Sequence, residues 1–285
     1  MNTCVTSPPY WGLRDYGVEG QLGLEETPEA YVSKLVEVFR GVRRVLRDDG
    51  TVFLNLGDSY AAGGHGGHNK SESFNGHNDR EGDRCPKKAP PGLKPKDMVG
   101  IPWMVAFALR ADGWYLRQEI IWHKPAPMPE SVTDRCTKAH ESIFLLAKSQ
   151  RYYFDSEAIA EPGVEPDRQR SDRIGGKNGA TVRHSHGGVM GASQTRNKRS
   201  VWTVNTKPYK GAHFATFPPK LIEPCILAGC PEGGTVLDPF LGSGTTAAVA
   251  QKFGRKCIGI ELNEEYCELA AKRFRQRTLL PITGK

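Results

Sequence analysis

The chain contains no apolar run approaching the roughly 20 residues needed to cross a bilayer. Its first ten residues are polar and proline-rich, so they lack the apolar core of a signal peptide. Seven cysteines, an odd number, include no Cys-x-x-Cys pair, which argues against a zinc site and for reduced thiols in a cytosolic protein. We therefore predict no membrane association, no metal and a cytoplasmic location.

A net charge of +7 over 285 residues is the first positive signal. An excess of lysine and arginine predicts a polyanionic partner, nucleic acid before an anionic membrane. A hydrophobic content of 38% is low for a fully packed globule, so part of the chain is expected to be loop. The length suits one large α/β domain with an insertion, or two small domains.

A βαβ unit is predicted near the carboxyl-terminal end. One apolar run ends in Asp238, a glycine-containing turn follows, and a second apolar run ends in Glu261. Ligands of open α/β sheets bind at such strand ends, and Gly242 and Gly244 let the backbone approach them because they lack a Cβ. Thr245 directly after Gly244 excludes the Gly-Lys-Ser/Thr pattern of a phosphate-binding loop, whereas a dinucleotide turn stays open. Glu261 lies where a ribose diol needs an acceptor.

Two stretches resemble one family. Asp-Pro-Phe-Leu-Gly-Ser-Gly-Thr-Thr at 238–246 resembles the S-adenosylmethionine (SAM) motif of DNA amino-methyltransferases, and Ser-Pro-Pro-Tyr at 7–10 resembles their catalytic motif. The order of catalytic motif, basic region and SAM motif is that of the β-group. His-Phe-Ala-Thr-Phe-Pro at 213–218 resembles the segment that packs over the methionine end of SAM. The SAM-binding residues implied are Phe214, Thr216, Asp238, Pro239, Phe240, Gly242, Gly244, Thr245 and Glu261.

The resemblance implies an α/β fold, a Rossmann-like central sheet with helices on both faces, and methyl transfer from SAM to a base amino group in double-stranded DNA. Such an amino group is a poor nucleophile because its lone pair is conjugated with the ring. Acceptors at Ser7 and the Pro8 carbonyl, held rigidly by Pro9, would favour a tetrahedral nitrogen with a free lone pair. Tyr10 would offer a ring for a flipped base. A plain proline turn with a core aromatic is the alternative for the isolated motif.

Three parts of the chain are distinguished on this interpretation. Residues 1–150 are the catalytic half of the methyltransferase domain, with a Gly- and His-rich mobile loop over 61–97. Residues 201–285 are the SAM-binding half. Residues 151–200 form a basic target-recognition region, unless they are a flexible basic linker. The DNA contacts expected there are Arg168, Arg170, Arg173, Lys177, Arg183, Arg196, Lys198 and Arg199.

Several alternatives remain at this level. The target is N4 of cytosine or N6 of adenine, and an RNA methyltransferase or a silent DNA-binding protein would share much of the pattern. The chain starts six residues before Ser7, where family members usually carry a further strand and helix. Either that start is internal, or another segment or a second subunit fills the place, which makes a homodimer one expected state. No endonuclease-like segment is visible, so any partner nuclease would be a separate chain. Cys225 after Pro224 is expected to be a buried structural thiol.

Overall fold

The computed structural model describes residues 1–13, 15–61, 89–163, 195–206 and 217–275 of the chain. The elements within these ranges are, in chain order, β1 (Thr3–Thr6), α1 (Pro28–Val45), β2 (Thr51–Leu56), α2 (Ile101–Ala111), β3 (Tyr115–His123), β4 (His140–Ala147), β5 (Glu161–Pro162), β6 (Thr195–Arg196), β7 (Val201–Thr203), α3 (Pro219–Gly229), β8 (Thr235–Asp238), α4 (Thr245–Lys252), β9 (Lys256–Gly259) and α5 (Glu264–Arg275). No helix among them is long and apolar enough to cross a membrane.

Seven of the strands form one mixed sheet in the order β7-β3-β4-β2-β1-β8-β9. β4 is antiparallel to both β2 and β3, and every other neighbouring pair in the sheet is parallel. The carboxyl ends of six strands and the amino end of β4 therefore share one edge of the sheet. That edge is where ligands of α/β proteins bind.

Helices cover both faces of the sheet, which confirms the predicted α/β class. Consecutive residues of a strand point to opposite faces, and Cys4 of β1 accordingly joins the core under α1 and α2, whereas Val5 joins the core under α3 and α4. Tyr31 and Phe39 of α1 are fully buried in the first core, and Ile226 of α3 in the second. Burying each such side chain contributes about 1.5–3 kcal/mol, so the strands of the central sheet are fixed from two sides.

Local signals explain the ends of the helices that carry this sheet. α1 starts at Pro28, because Thr27 caps it by accepting the Ala30 N–H at 3.2 Å and Pro28 occupies the first helical position. It ends at Val45. α3 contains Cys225, which is fully buried, and burial raises the pKa of its thiol well above the ordinary range. A thiol in that state is structural rather than nucleophilic, as predicted.

Part of the sequence prediction lies outside the described residues. This holds for Phe214 and Thr216, for most of the predicted loop over 61–97, and for five of the basic positions, Arg168, Arg170, Arg173, Lys177 and Arg183. The division into three parts stays a prediction.

Candidate active site

Polar residues from five strands meet at the ligand-binding edge. Ser7 follows β1, Asn55 lies near the end of β2, Asp238 ends β8, and Glu261 follows β9. Glu141 is at the opposite, amino-terminal end of β4, and the antiparallel direction of that strand brings it to the same edge. Because β1 pairs directly with β8, the two stretches singled out in the sequence are neighbours in space.

Asp238 holds the glycine turn in place through three hydrogen bonds. Its carboxylate accepts the hydroxyls of Thr6 and Thr246, each at 2.6 Å, and the backbone N–H of Phe240 at 3.0 Å. Burial raises the pKa of this carboxyl to about 6, against the three hydrogen bonds, which lower it. With 1% of its surface exposed, Asp238 anchors the turn rather than facing a ligand. Its place among the SAM-binding residues stays a prediction.

Glu261 ties the turn to the end of β9. One oxygen accepts the backbone N–H of Gly242 at 2.7 Å and the other that of Asn263 at 2.9 Å. A carboxylate has about four lone-pair sites, so two stay available for ribose hydroxyls. Ile260 and Leu262, on either side, are 58% and 60% exposed and offer apolar surface for a purine. These features fit a cofactor that carries a ribose and an adenine, as SAM does.

The remaining predicted residues of the turn shape its backbone. Gly244 is in the left-handed region, with φ of 81°, and starts α4 at Thr245, which is buried. Gly242 has φ of 51°, with open space where a Cβ would stand, so only a residue without one keeps this turn unstrained and accessible. Pro239 and Phe240 are half-buried, and Phe240 packs against the core under α1 and α2.

The Ser-Pro-Pro-Tyr segment is held by contacts behind it. The Tyr31 hydroxyl donates to the Pro9 carbonyl at 2.8 Å, and Pro8 is buried. The Tyr10 ring lies so close to the backbone of Gly57 that a Cβ there would come within 2.4 Å of its Cε2 atom. Tyr10 is therefore fixed by its neighbours before any ligand arrives.

A polar network around Tyr10 was missed by the sequence reasoning. The Tyr10 hydroxyl donates to Glu141 Oε2 at 2.7 Å, and the Asn55 amide donates to the same oxygen at 3.0 Å and to the Tyr10 hydroxyl at 2.8 Å. Ser7 Oγ is 3.4 Å from both the Asn55 amide nitrogen and the Tyr10 oxygen. Lys124 pairs with the other oxygen of Glu141. The sequence signal that could have revealed this network is Glu141, a charged residue at the start of an otherwise apolar strand.

A cavity of about 420 Å³ adjoins this network and shares Glu141 as a wall. Its other walls include Leu56, Asp58, Trp103 and Lys138. Asp58 also fixes the start of α2, because its carboxylate accepts the N–H groups of Gly100 and Ile101 at 2.9 and 3.0 Å. Burial lowers the pKa of Lys138. The volume lies within the usual range of small-ligand pockets.

The described basic residues of the predicted recognition region have an internal partner. Arg196, Lys198 and Arg199 place their charged nitrogens 3.4, 3.7 and 2.9 Å from the carboxylate of Glu161. Arg199 holds the pKa of that carboxyl below its ordinary value. The three cations, expected on DNA, are thus gathered around one acid in the free protein, and a role in DNA binding stays a prediction.

Comparison with known proteins gives consistent matches. The profile of a family described as DNA methylase, of the N6/N4 type, matches residues 1–272. The type II methyltransferase M.SmaI of Serratia marcescens is 49% identical over 276 residues, which span 96% of this chain and 84% of that protein. M.Cfr9I of Citrobacter freundii is 48% identical over 270 residues, which span 95% and 80%.

Solved structures support the fold. The PvuII DNA methyltransferase, described as cytosine-N4-specific, superimposes with a TM-score of 0.64 at 18% identity, over 100% of this chain and 81% of that one. A putative DNA modification methylase of Thermus thermophilus, TTHA0409, complexed with SAM, gives 0.57 at 22% identity, over 99% and 88%.

Proposed function

The chain belongs to the N6/N4 DNA methylase family, and from this premise we propose that it methylates the N4 amino group of cytosine in double-stranded DNA. The family makes the chain a SAM-dependent DNA methyltransferase that acts on an exocyclic amino group. The choice of cytosine is the proposed part. The serine at position 7 carries it, because Ser-Pro-Pro-Tyr resembles the form associated with N4-cytosine enzymes. The PvuII DNA methyltransferase, a structural neighbour, is described as cytosine-N4-specific, which agrees with this choice of base.

At the ligand-binding edge of the sheet, some residues would bind the cofactor and others the target base. When bound, SAM supplies a sulfonium methyl group: the amino nitrogen takes the methyl carbon, the C–S bond electrons stay on sulfur, and the nitrogen releases one proton to water. Glu261 would hold the ribose, and the open turn at Gly242 would let the cofactor lie against the backbone. Ser7 Oγ and the Pro8 carbonyl would accept the two amino hydrogens and turn the nitrogen lone pair towards the methyl group.

The proximity of the two motifs supports this assignment. Thr6, which directly precedes Ser7, donates to Asp238, which directly precedes the glycine turn. The base and the methyl donor would therefore be bound by two segments joined through one buried hydrogen bond. Positioning of this kind is a large part of enzymatic rate enhancement, since reacting atoms must lie about 3–3.5 Å apart with aligned orbitals.

Mass spectrometry of nucleosides tests the proposal. Enzymatically amplified genomic DNA, which carries no modified bases, is incubated with the protein and SAM, digested and analysed. We expect N4-methylcytosine with the wild type and none with Ser7→Ala, whose affinity for SAM should stay unchanged by calorimetry. N6-methyladenine alone would contradict the choice of base. No methylated nucleoside in DNA, with methylation of RNA in a parallel reaction, would favour the RNA alternative, and no product in either would favour a silent DNA-binding protein.

We place the enzyme in the bacterial cytoplasm, with DNA as its substrate, and in a restriction-modification system or as an orphan methylase. The type II names of its relatives support the former, with any nuclease on a separate chain. A homodimer is also proposed, because the described sheet ends at β9, where Ile258 is 45% exposed. Light scattering at assay concentration tests it, and a monomer would contradict it.

A further inference from the structure

Three side chains beside Tyr10 belong to neither of the stretches that resemble the family motifs. Asn55 comes from β2, Glu141 from β4, and Lys124 directly follows β3. The hydrogen bonds that join Asn55 and Glu141 to Tyr10 and to each other are short, between 2.7 and 3.0 Å. A network assembled from three strands at a ligand-binding edge calls for a physical reason.

The direction of each hydrogen bond in this network is determined by Glu141. An ionised carboxylate only accepts, so both the Tyr10 hydroxyl and the Asn55 amide must donate to it. The Tyr10 oxygen then accepts from the Asn55 amide nitrogen at 2.8 Å. If the amide were turned over, its carbonyl would face the carboxylate and be repelled. Glu141 therefore leaves one favourable orientation for Asn55.

That orientation leaves one buried group without a partner. Asn55 is 4% exposed, and its carbonyl Oδ1 is among the few buried side-chain atoms, within the described residues, that lack a hydrogen-bond partner. An unsatisfied buried acceptor destabilises the fold. The amide nitrogen of the same side chain lies 3.4 Å from Ser7 Oγ. The amide nitrogen of Asn55, not its carbonyl, therefore faces Ser7 and Tyr10.

Stability alone does not explain the charged pair that maintains this arrangement. The side chains of Lys124 and Glu141 are 19% and 15% exposed, so both charges are largely removed from water. The desolvation of such a pair often equals or exceeds its mutual attraction. Lys124 also lies 4.5 Å from the centre of the Trp122 ring, which helps to fix it. A half-buried ion pair beside the Tyr10 hydroxyl therefore points to a role other than stability.

We propose that Glu141, held by Lys124, is a positioning residue that fixes the Tyr10 hydroxyl and ring and keeps the Asn55 amide nitrogen turned towards Tyr10 and Ser7. This rests on the proposed methyl transfer but not on the choice of base. The Tyr10 ring would then offer its face to the target base in one fixed orientation. Glu141 acts through these neighbours and touches no substrate atom itself.

Glu141→Gln is the sharpest test, because it keeps the shape and removes the constraint. A glutamine can donate as well as accept, so both orientations of the Asn55 amide become allowed. We expect kcat for methyl transfer from radiolabelled SAM to fall on the order of 100-fold, as misplacement near a reacting group does. The dissociation constant of SAM by calorimetry and the melting temperature should stay near those of the wild type. Glu223→Gln, which breaks the ion pair with Lys252 on α4, is the matched control with wild-type kcat.

A double-mutant cycle with Tyr10→Phe separates positioning from simple stabilisation. Without the hydroxyl, part of what Glu141 constrains is already lost, so Glu141→Gln should cost less in that background than in the wild type. Additive effects, or a loss of kcat accompanied by weaker SAM binding and a lower melting temperature, would overturn the proposal. Wild-type kcat in Glu141→Gln would also overturn it. Absence of methyl transfer by the wild type on DNA and RNA would instead overturn the proposed function, and that outcome is read in the same assay.

Discussion

The buried carboxylate of Asp238 gives the most quantitative prediction. Its pKa of about 6, against an ordinary 3.8, means that the folded protein binds the proton more tightly than the unfolded chain does. The stabilising effect of the proton is complete below pH 3.8 and is lost as the pH rises through about 6. The difference corresponds to about 3 kcal/mol, so ionised Asp238 destabilises the fold at neutral pH by that amount. The enzyme tolerates this cost because the carboxylate holds the glycine turn.

Asp238→Asn removes the titration while keeping the shape. Its amide oxygen can still accept from Thr6 and from the Phe240 N–H, and its NH₂ group can donate to the Thr246 hydroxyl, which has the Val5 carbonyl 3.4 Å away as its own acceptor. We expect the free energy of unfolding of this variant, minus that of the wild type, to rise by about 2.5 kcal/mol between pH 4 and pH 7.

Urea denaturation followed by tryptophan fluorescence at several pH values measures the difference, and the subtraction removes the titration of all other groups. A difference that does not change with pH would refute the raised pKa. A difference that falls with pH would mean that the three hydrogen bonds outweigh burial. Asp238→Ala is the contrasting variant, because it removes the acceptor of the Thr6 hydroxyl and of the Phe240 N–H, and it should abolish SAM binding together with the structure of the turn.

Three further substitutions test single contacts. Gly57→Ala should lower kcat strongly and leave SAM affinity unchanged, because its Cβ would displace the Tyr10 ring; single-turnover kinetics and calorimetry measure the two effects. Gly259→Ala should weaken SAM binding about 10-fold with little change in stability, since its Cβ would come within 2.4 Å of the flexible Leu241 side chain in the cofactor turn; unchanged affinity would contradict this. Thr27→Ala should lower the free energy of unfolding by about 1 kcal/mol, the usual value of an N-cap, without affecting kcat.

The βαβ unit around Asp238 shows how much of the fold could be predicted. The first apolar run forms β8, the glycine turn leads into α4, and the second apolar run forms β9. Runs of this kind are specified locally, by hydrophobic pattern and by Gly244 at the start of α4, so one sequence suffices. The role of Asp238 was less accessible. Its partners lie in other elements, Thr6 in β1 and Thr246 in α4. Only the order of strands in the sheet shows that the carboxylate faces inwards.

Glu141 illustrates the opposite case. Its strand, β4, is apolar from Ile143 onwards and starts at His140, so Glu141 is one of its few polar residues. Nothing local tells that this strand runs against its neighbours, because direction is decided by the connections and the packing of the whole sheet. The residue pairs Leu56↔Ser142 and Trp122↔Glu141 bring Glu141 beside the ends of both flanking strands. A long-range register of this kind has no signature within a single window of sequence.

The single reversed strand is therefore the feature that completes the site. If β4 were parallel to β2, its apolar carboxyl end would lie at the ligand-binding edge, and no charged group would stand opposite Tyr10. Reversal places the polar start of β4 there, two strands from Ser7, while its apolar remainder fills the sheet interior. The glycine turn lies on the other side of β1, across the Thr6–Asp238 hydrogen bond. The strand that carries Ser-Pro-Pro-Tyr is thus flanked by the group that orients Tyr10 and by the turn that would hold SAM. This arrangement would let two motifs separated by more than 200 residues act on one nitrogen atom, as proposed.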